Sequence, residues 1–248
     1  MGPARMTGTA RPAFYALAPG GWRDYITLLH PPYTLWHLSY VAIGAALAPH
    51  FKAAVLGFGL LAFFLGMGVA AHALDELNGR PLQTRIGDTA LVALAVVSLA
   101  SAASIGVTVA LRTSLWLLVF VVTGTFIAVA YNLELFGGRV HGDPWFSLAW
   151  GAFPVLATYF AAAETIRIEA VLAAAFAGFL SHAQRRLSTP VRLVRRRARE
   201  VSGRIELVDD SMLDITPETL TAEPERALRA LSAAVVCLAL ALVLLRVT

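Results

Sequence analysis

Cysteine and lysine are almost absent from this chain, with only Cys237 and Lys52 among 248 residues. A lone cysteine excludes a disulfide framework within the chain. Arginine takes the place of lysine, which reads as a GC-rich coding sequence and says little about function. Charge of either sign is scarce as well: 15% of residues are charged and 58% are hydrophobic, where a soluble domain carries about 25% charged residues. Together with the long uncharged runs, this excludes an ordinary soluble domain and points to a polytopic membrane protein. An apolar signal-peptide core is also missing. Residues 1–32 hold Arg5, Arg11, Arg23 and several Gly and Pro, so they read as an N-terminal cytoplasmic or interfacial segment and not as a signal peptide.

Within that segment, "GGWRDYITLLHPPYTL" reads as a short interfacial stretch. Trp22 and Tyr25 suit headgroup depth, and Pro31-Pro32 separates them from the first span. A span needs about 20 mostly apolar residues. The expected spans are 33–48, 51–74, 89–111, 115–131, 145–163, 168–183 and a short seventh at 230–245. The fold expected is therefore an all-α polytopic transmembrane bundle of about seven spans. Residues 33–183 form a six-span bundle, 184–229 a cytoplasmic extension, and 230–248 the seventh span.

The connecting loops alternate in length and charge. Sixteen of the 20 Lys and Arg fall on the side shared by the N-terminus and the longer loops; Lys52, Arg112, Arg167 and Arg246 fall on the other. That asymmetry places the N-terminus and long loops in the cytoplasm of a cell-membrane protein. The extension opens with "RRLSTPVRLVRRRAR", whose arginines suit an anchor on anionic headgroups or a lid that supplies cations to a diphosphate. "GRIELVDD" suits a short strand, and Thr216-Pro217-Glu218 a helix start. Membrane lipids are the expected partners, and no nucleic acid is expected.

The second apolar run closes on "AHALDELNGR". A helix from Phe51 crosses the ~30 Å hydrocarbon core near Ala70 or Ala71, leaving His72 at the boundary with Asp75 and Glu76 a turn beyond. Anions at a helix C-terminus are disfavoured by about 0.3–1 kcal/mol. A cation would reverse the sign, supplied by Arg80, by Arg85 or by a divalent metal. His72, Asp75 and Glu76 share one face at i, i+3 and i+4. The other reading is a hydrated helix end paired with its own arginines.

"HAQRRLSTP" after the sixth run echoes "HALDELNGRP", so His72 and His182 would converge if those spans face each other. The third polar loop, "YNLELFGGRVHGDPWF", brings Tyr131, Asn132, Glu134, Arg139, His141 and Asp143 to the same side. Gly137-Gly138 marks a turn there, and Asp143-Pro144 a helix start. Pro154 lies inside the fifth span, where it frees a carbonyl and kinks the helix. The glycines of "GFGLLAFFLGMG" allow close helix approach.

On "LHPPYTLWHLSYVAIGAALAP", "AHALDELNGRPLQTRIGD" and "YNLELFGGRVHGDPWFSLAWGAFP", the chain resembles the UbiA superfamily of intramembrane prenyltransferases over about residues 28–183. The resemblance implies a helical bundle around a lipid-open cavity. In it, Mg²⁺ held by two Asp-rich motifs binds a prenyl diphosphate, whose allylic cation alkylates an acceptor. Laid over the first motif, Asp75 matches its middle Asp, while His72 and Gly79 stand where the family has Asp. "HAQRRLSTP" replaces the second motif. The resemblance thus implies Asp75 and Glu76 as metal ligands, with Arg80, Arg85, Asn132, Arg139, Arg185 and Arg186 on the substrate. His72, Tyr131 and His182 are candidates for the acceptor proton. The alternatives are a non-catalytic protein of the same fold that binds an isoprenoid lipid or a partner, and a metal-dependent protein or transporter using His72, Asp75 and His182.

Overall fold

The computed structural model describes residues 11–248, and nearly all of its regular structure is helical. Arg5 and the rest of residues 1–10 lie outside the described residues. The first helix, α1 (Trp22–Leu28), is short and leaves Trp22 and Tyr25 68% and 46% exposed. It ends where His30 adopts a left-handed backbone, φ 46°, and Pro31 opens α2 (Pro31–Leu47) at its first position. Proline suits that position because its missing N–H has no intrahelical partner there.

The long helices follow as α3 (Ala53–Leu77), α4 (Asp88–Arg112), α5 (Leu117–Asn132), α6 (Asp143–Ala163) and α7 (Ile168–Arg197). A small antiparallel hairpin, β1 (Arg204–Glu206) and β2 (Met212–Asp214), pairs Ile205 with Leu213. The last helix, α8 (Pro217–Val247), starts at a capping box in which Thr216 and Thr219 bond each other's backbone. Among the described residues four helices, α3, α4, α6 and α8, are long and apolar enough to cross a membrane, and α5 is a shorter apolar helix. Several such helices fit an integral membrane protein.

Two boundaries differ from the sequence reading. Helix α7 does not stop near residue 183; it continues through Pro190 to Arg197. Helix α8 begins well before the apolar run at 230. What remains between them is the segment 198–216 with its hairpin.

Helix α2 is the buried centre, packed against α6 and α8. Trp36 and Tyr40 are fully buried, with Trp36 Nε1 donating to Tyr40 Oη at 2.5 Å and Ser181 Oγ of α7 donating to the same oxygen at 3.2 Å. The closest helix crossings are at glycines. A Cβ on Gly44 would run into the Val155 carbonyl oxygen, and one on Gly151 would lie 2.5 Å from the Ala177 carbonyl oxygen. In "GFGLLAFFLGMG", Gly68 is close to Thr34, whereas Gly57 has open space.

Helices α3 and α6 each carry a π-helical stretch, Phe64–Ala71 and Ser147–Ala152. Such wide turns commonly mark functional sites. In α6 the stretch ends next to Pro154, which has no N–H to offer the Trp150 carbonyl. Met67 of the first stretch and Trp150 of the second are buried and line the site.

Candidate functional site

The loops after α3 and α5 and the far half of α7 meet at one end of the bundle, around a cavity of about 170 Å³. Its wall is assembled from every part of the chain that meets there. His30 and His37 come from the start of α2; His72 and Asp75 from α3; Tyr131, Asn132 and His141 from α5 and its loop. Helix α7 adds Gln184, Arg185, Arg192 and Arg196. Residues Pro12–Tyr15 run across the same cavity, tied down where Arg196 Nε donates to the Pro12 carbonyl at 3.1 Å.

Each polar side chain has a definable state. His72 Nδ1 lies 3.0 Å from the Gly68 carbonyl and His30 Nδ1 2.9 Å from the Leu28 carbonyl. A carbonyl only accepts, so both rings carry their proton on Nδ1 and keep a lone pair on Nε2. The two rings touch, centroids 4.0 Å apart. Burial, and then the neighbouring His72, hold His30 well below the usual histidine pKa. His37 Nε2 and Gln184 Oε1 are buried on the same wall without a hydrogen-bond partner among the described residues.

Arg185 engages all three of its side-chain nitrogens. Its Nε donates to Asp143 Oδ1 at 2.5 Å, one terminal nitrogen to Tyr131 Oη, and the other to the His141 carbonyl at 3.1 Å. It therefore fixes Tyr131 and the loop 133–142 to α7. Arg192 and Arg196 stand at i and i+4, so they project from one face of α7. Neither has an acidic ion-pair partner among the described residues. Burial, with Arg185 and Arg196 close by, lowers the pKa of Arg192.

The structure thus gathers His72, Asp75, Tyr131, Asn132 and Arg185 on one wall. It does not bring the other expected residues there. Glu76 is fully buried and turned into the loop that follows α3. Its carboxylate accepts from the Leu82 N–H at 2.9 Å, the Thr84 N–H at 2.8 Å and Thr84 Oγ1 at 2.9 Å. With both oxygens engaged, Glu76 is a loop anchor. Arg80 donates to the Ile86 carbonyl at 2.6 Å and pairs with Asp88. Arg85 and Arg139 are exposed, and Arg186 lies 3.7 Å from Asp143 with its side chain 71% exposed.

His182 does not converge with His72. Ser181 and Gln184 face inward, and one residue on a helix is a turn of about 100°, so His182 is exposed, with Ser147 Oγ 3.5 Å away. The imidazole beside His72 is His30, which pattern reading missed because it belongs to the distant α1–α2 junction. No group of three or more His, Cys, Asp or Glu that could hold a metal occurs among the described residues.

A second cavity adjoins the first. It is an apolar crevice of about 140 Å³ between α3, α4, α5 and α6, walled by residues such as Phe58, Ala102, Val121 and Phe153. Met67 and Trp150 line both cavities, and both belong to the π-helical stretches. A polar, cation-bearing chamber therefore opens beside an apolar one of similar size. Compared with family models, curated proteins and solved structures, the chain matches none.

Proposed function

We propose that the protein is a UbiA-like membrane prenyltransferase. In this reading a prenyl diphosphate seats its headgroup in the polar chamber and its chain in the apolar crevice. The bundle has about seven spans, with the N-terminus and long loops cytoplasmic. One observation carries the reading: the two chambers meet at Met67 and Trp150, which is the shape and polarity of an amphiphile with an anionic head.

In the reaction, the allylic C–O bond breaks and the diphosphate leaves with the electron pair. The acceptor's nucleophilic atom bonds the allylic carbon and gives up its proton. His72 is the base best prepared for it, since its Nδ1–H is held by Gly68 and its Nε2 keeps a lone pair. Tyr131 serves position instead, because its hydroxyl already accepts from Arg185.

The Mg²⁺ that the family resemblance implies fits these residues poorly. Magnesium in such sites is held by carboxylates and substrate phosphates. Here Asp75 is the one carboxylate on the cavity wall among the described residues, and Glu76 is spent on its loop. The same observation favours a second reading, a non-catalytic protein that binds an isoprenoid diphosphate or polyprenyl lipid on this fold. Incubation of the purified protein with prenyl diphosphates and aromatic acceptors separates the two. Pyrophosphate release that His72→Gln lowers supports transfer. Binding without release at any chain length leaves the carrier.

A further inference from the structure

We infer that the anionic headgroup is held by the guanidinium groups of Arg192 and Arg196, without a divalent metal. The inference rests on the amphiphile reading above and specifies how its polar end is recognised.

Arg196 uses only Nε, on the Pro12 carbonyl, and Arg192 uses one terminal nitrogen, on Thr189 Oγ1 at 3.2 Å. An arginine has five N–H donors and does not lose its charge. Each therefore keeps several donors, and no carboxylate pairs with either among the described residues. Two adjacent partly buried cations share one nearby carboxylate, Asp75, which forms no ion pair with either; the pair is costly to hold, and an anion that accepts from both relieves the cost.

The turn that carries them is fixed in advance. Arg195 lies between them in sequence and makes a two-pronged bond to Glu225 of α8, Nε to Oε1 at 2.5 Å and the terminal nitrogen to Oε2 at 2.9 Å. Val191 and Val194 are buried on the same stretch. The two cations are thus presented by a braced helix, and little ordering remains to be done on binding.

The metal side of the comparison is weak for reasons of donor chemistry. A diphosphate carries a charge near −3, and metal-based recognition needs several carboxylates around it. Asp75 is the only carboxylate among the described residues that faces the cavity. Burial raises its pKa and the nearby Arg196 opposes that rise; in its ionised form it repels a bound headgroup unless a cation intervenes, so it provides the discriminating test.

The full chain in lipid nanodiscs is titrated with farnesyl diphosphate and separately with inorganic pyrophosphate, each with EDTA and with excess Mg²⁺. The expected result is a Kd for farnesyl diphosphate unchanged within about twofold by EDTA. Arg192→Gln and Arg196→Gln should each weaken it about tenfold or more, the effect of losing charge-assisted hydrogen bonds. Asp75→Asn should leave it equal or tighter, and Arg197→Gln, exposed and off the cavity, should leave it unchanged. Melting curves of all variants check that they are folded.

Binding abolished by EDTA, restored by Mg²⁺ and lost in Asp75→Asn overturns the inference while leaving the amphiphile reading intact. EDTA-resistant pyrophosphate binding to which the farnesyl chain adds nothing does the reverse. Absence of binding to either probe under both conditions overturns both.

Discussion

The imidazoles of His30 and His72 stand against each other with ring centroids 4.0 Å apart, each held by its own Nδ1–H on a backbone carbonyl. Such a pair is stable only while uncharged, since a proton on either ring would sit buried beside the other. For His30 the pKa in the folded state lies well below 6.5. Well above pH 6.5 the ring is neutral in folded and unfolded chains alike, and it adds no pH dependence. As the pH falls below that value the unfolded chain takes up a proton that the folded chain refuses. Stability therefore drops, by at most about 1.4 kcal/mol per pH unit for this one group. Thermal melts in detergent from pH 7.5 to 5 should show the decline, and His30→Gln should lessen it. A slope unchanged by His30→Gln would assign the proton uptake to another residue.

Glu76 gives a second prediction, and one that separates a loop anchor from a metal ligand. Its carboxylate holds two backbone N–H groups and a hydroxyl of the loop 82–84. Glu76→Gln replaces one oxygen with an amide donor, which faces those donors unfavourably. The expected loss is about 2 kcal/mol of stability, with faster proteolysis or amide exchange over residues 80–87. A metal ligand would instead show unchanged stability without metal and altered metal content.

Much of this arrangement was readable from the sequence, for reasons that also explain what was not. The apolar runs marked the helices because continuous hydrophobicity over most of a span has few other uses. The proline at 217 and the glycines at 137 and 138 marked boundaries because their backbone preferences are local. Gly137 and Gly138 do have φ of 67° and 75°. Local signals failed where tertiary contacts decide. Pro190 should weaken a helix, yet α7 runs through it. Buried Val191 and Val194 and the Arg195–Glu225 bond hold the helix beyond it. Arg192 and Arg196 reach the cavity wall only because the helix continues past Pro190, whereas the arginine run by itself first suggests a headgroup anchor, with a cation-bearing lid as the alternative. Helix phase turns His182 away from His72, and the contacts of Glu76 are not legible locally because its partners lie six and eight residues ahead in an irregular loop.

The Arg195–Glu225 bond can be weighed directly. The Arg195 side chain is 23% exposed and that of Glu225 8%, and the geometry is bidentate. Breaking it from either side should cost about 2–3 kcal/mol, because the remaining partner is left poorly solvated. A double-mutant cycle with Arg195→Ala and Glu225→Ala should return a coupling of at least about 1 kcal/mol. If the brace also preorganises the turn, Glu225→Ala should weaken pyrophosphate binding although Glu225 itself is not on the cavity wall. Additive melting temperatures would mean that α7 and α8 are held together by their apolar contacts alone.

The apolar crevice makes the last prediction, because it is the part of the site that should distinguish a prenyl chain from its headgroup. Ala102 lies on its wall, opposite the π-helical stretch of α3 at Gly66, where a Cβ would approach the Ala102 methyl to 3.5 Å. Ala102→Phe therefore grows into the crevice and not into the polar chamber. Each buried CH₂ contributes about 0.8 kcal/mol, so excluding even two from the crevice should weaken farnesyl diphosphate binding about tenfold or more. The affinity for inorganic pyrophosphate should be unchanged, since the arginines lie beyond Met67 and Trp150. Equal losses for both probes would point to a general disturbance of the bundle. No loss for either would place the chain against lipid on the outer surface, and the adjoining crevice would then serve helix packing rather than recognition.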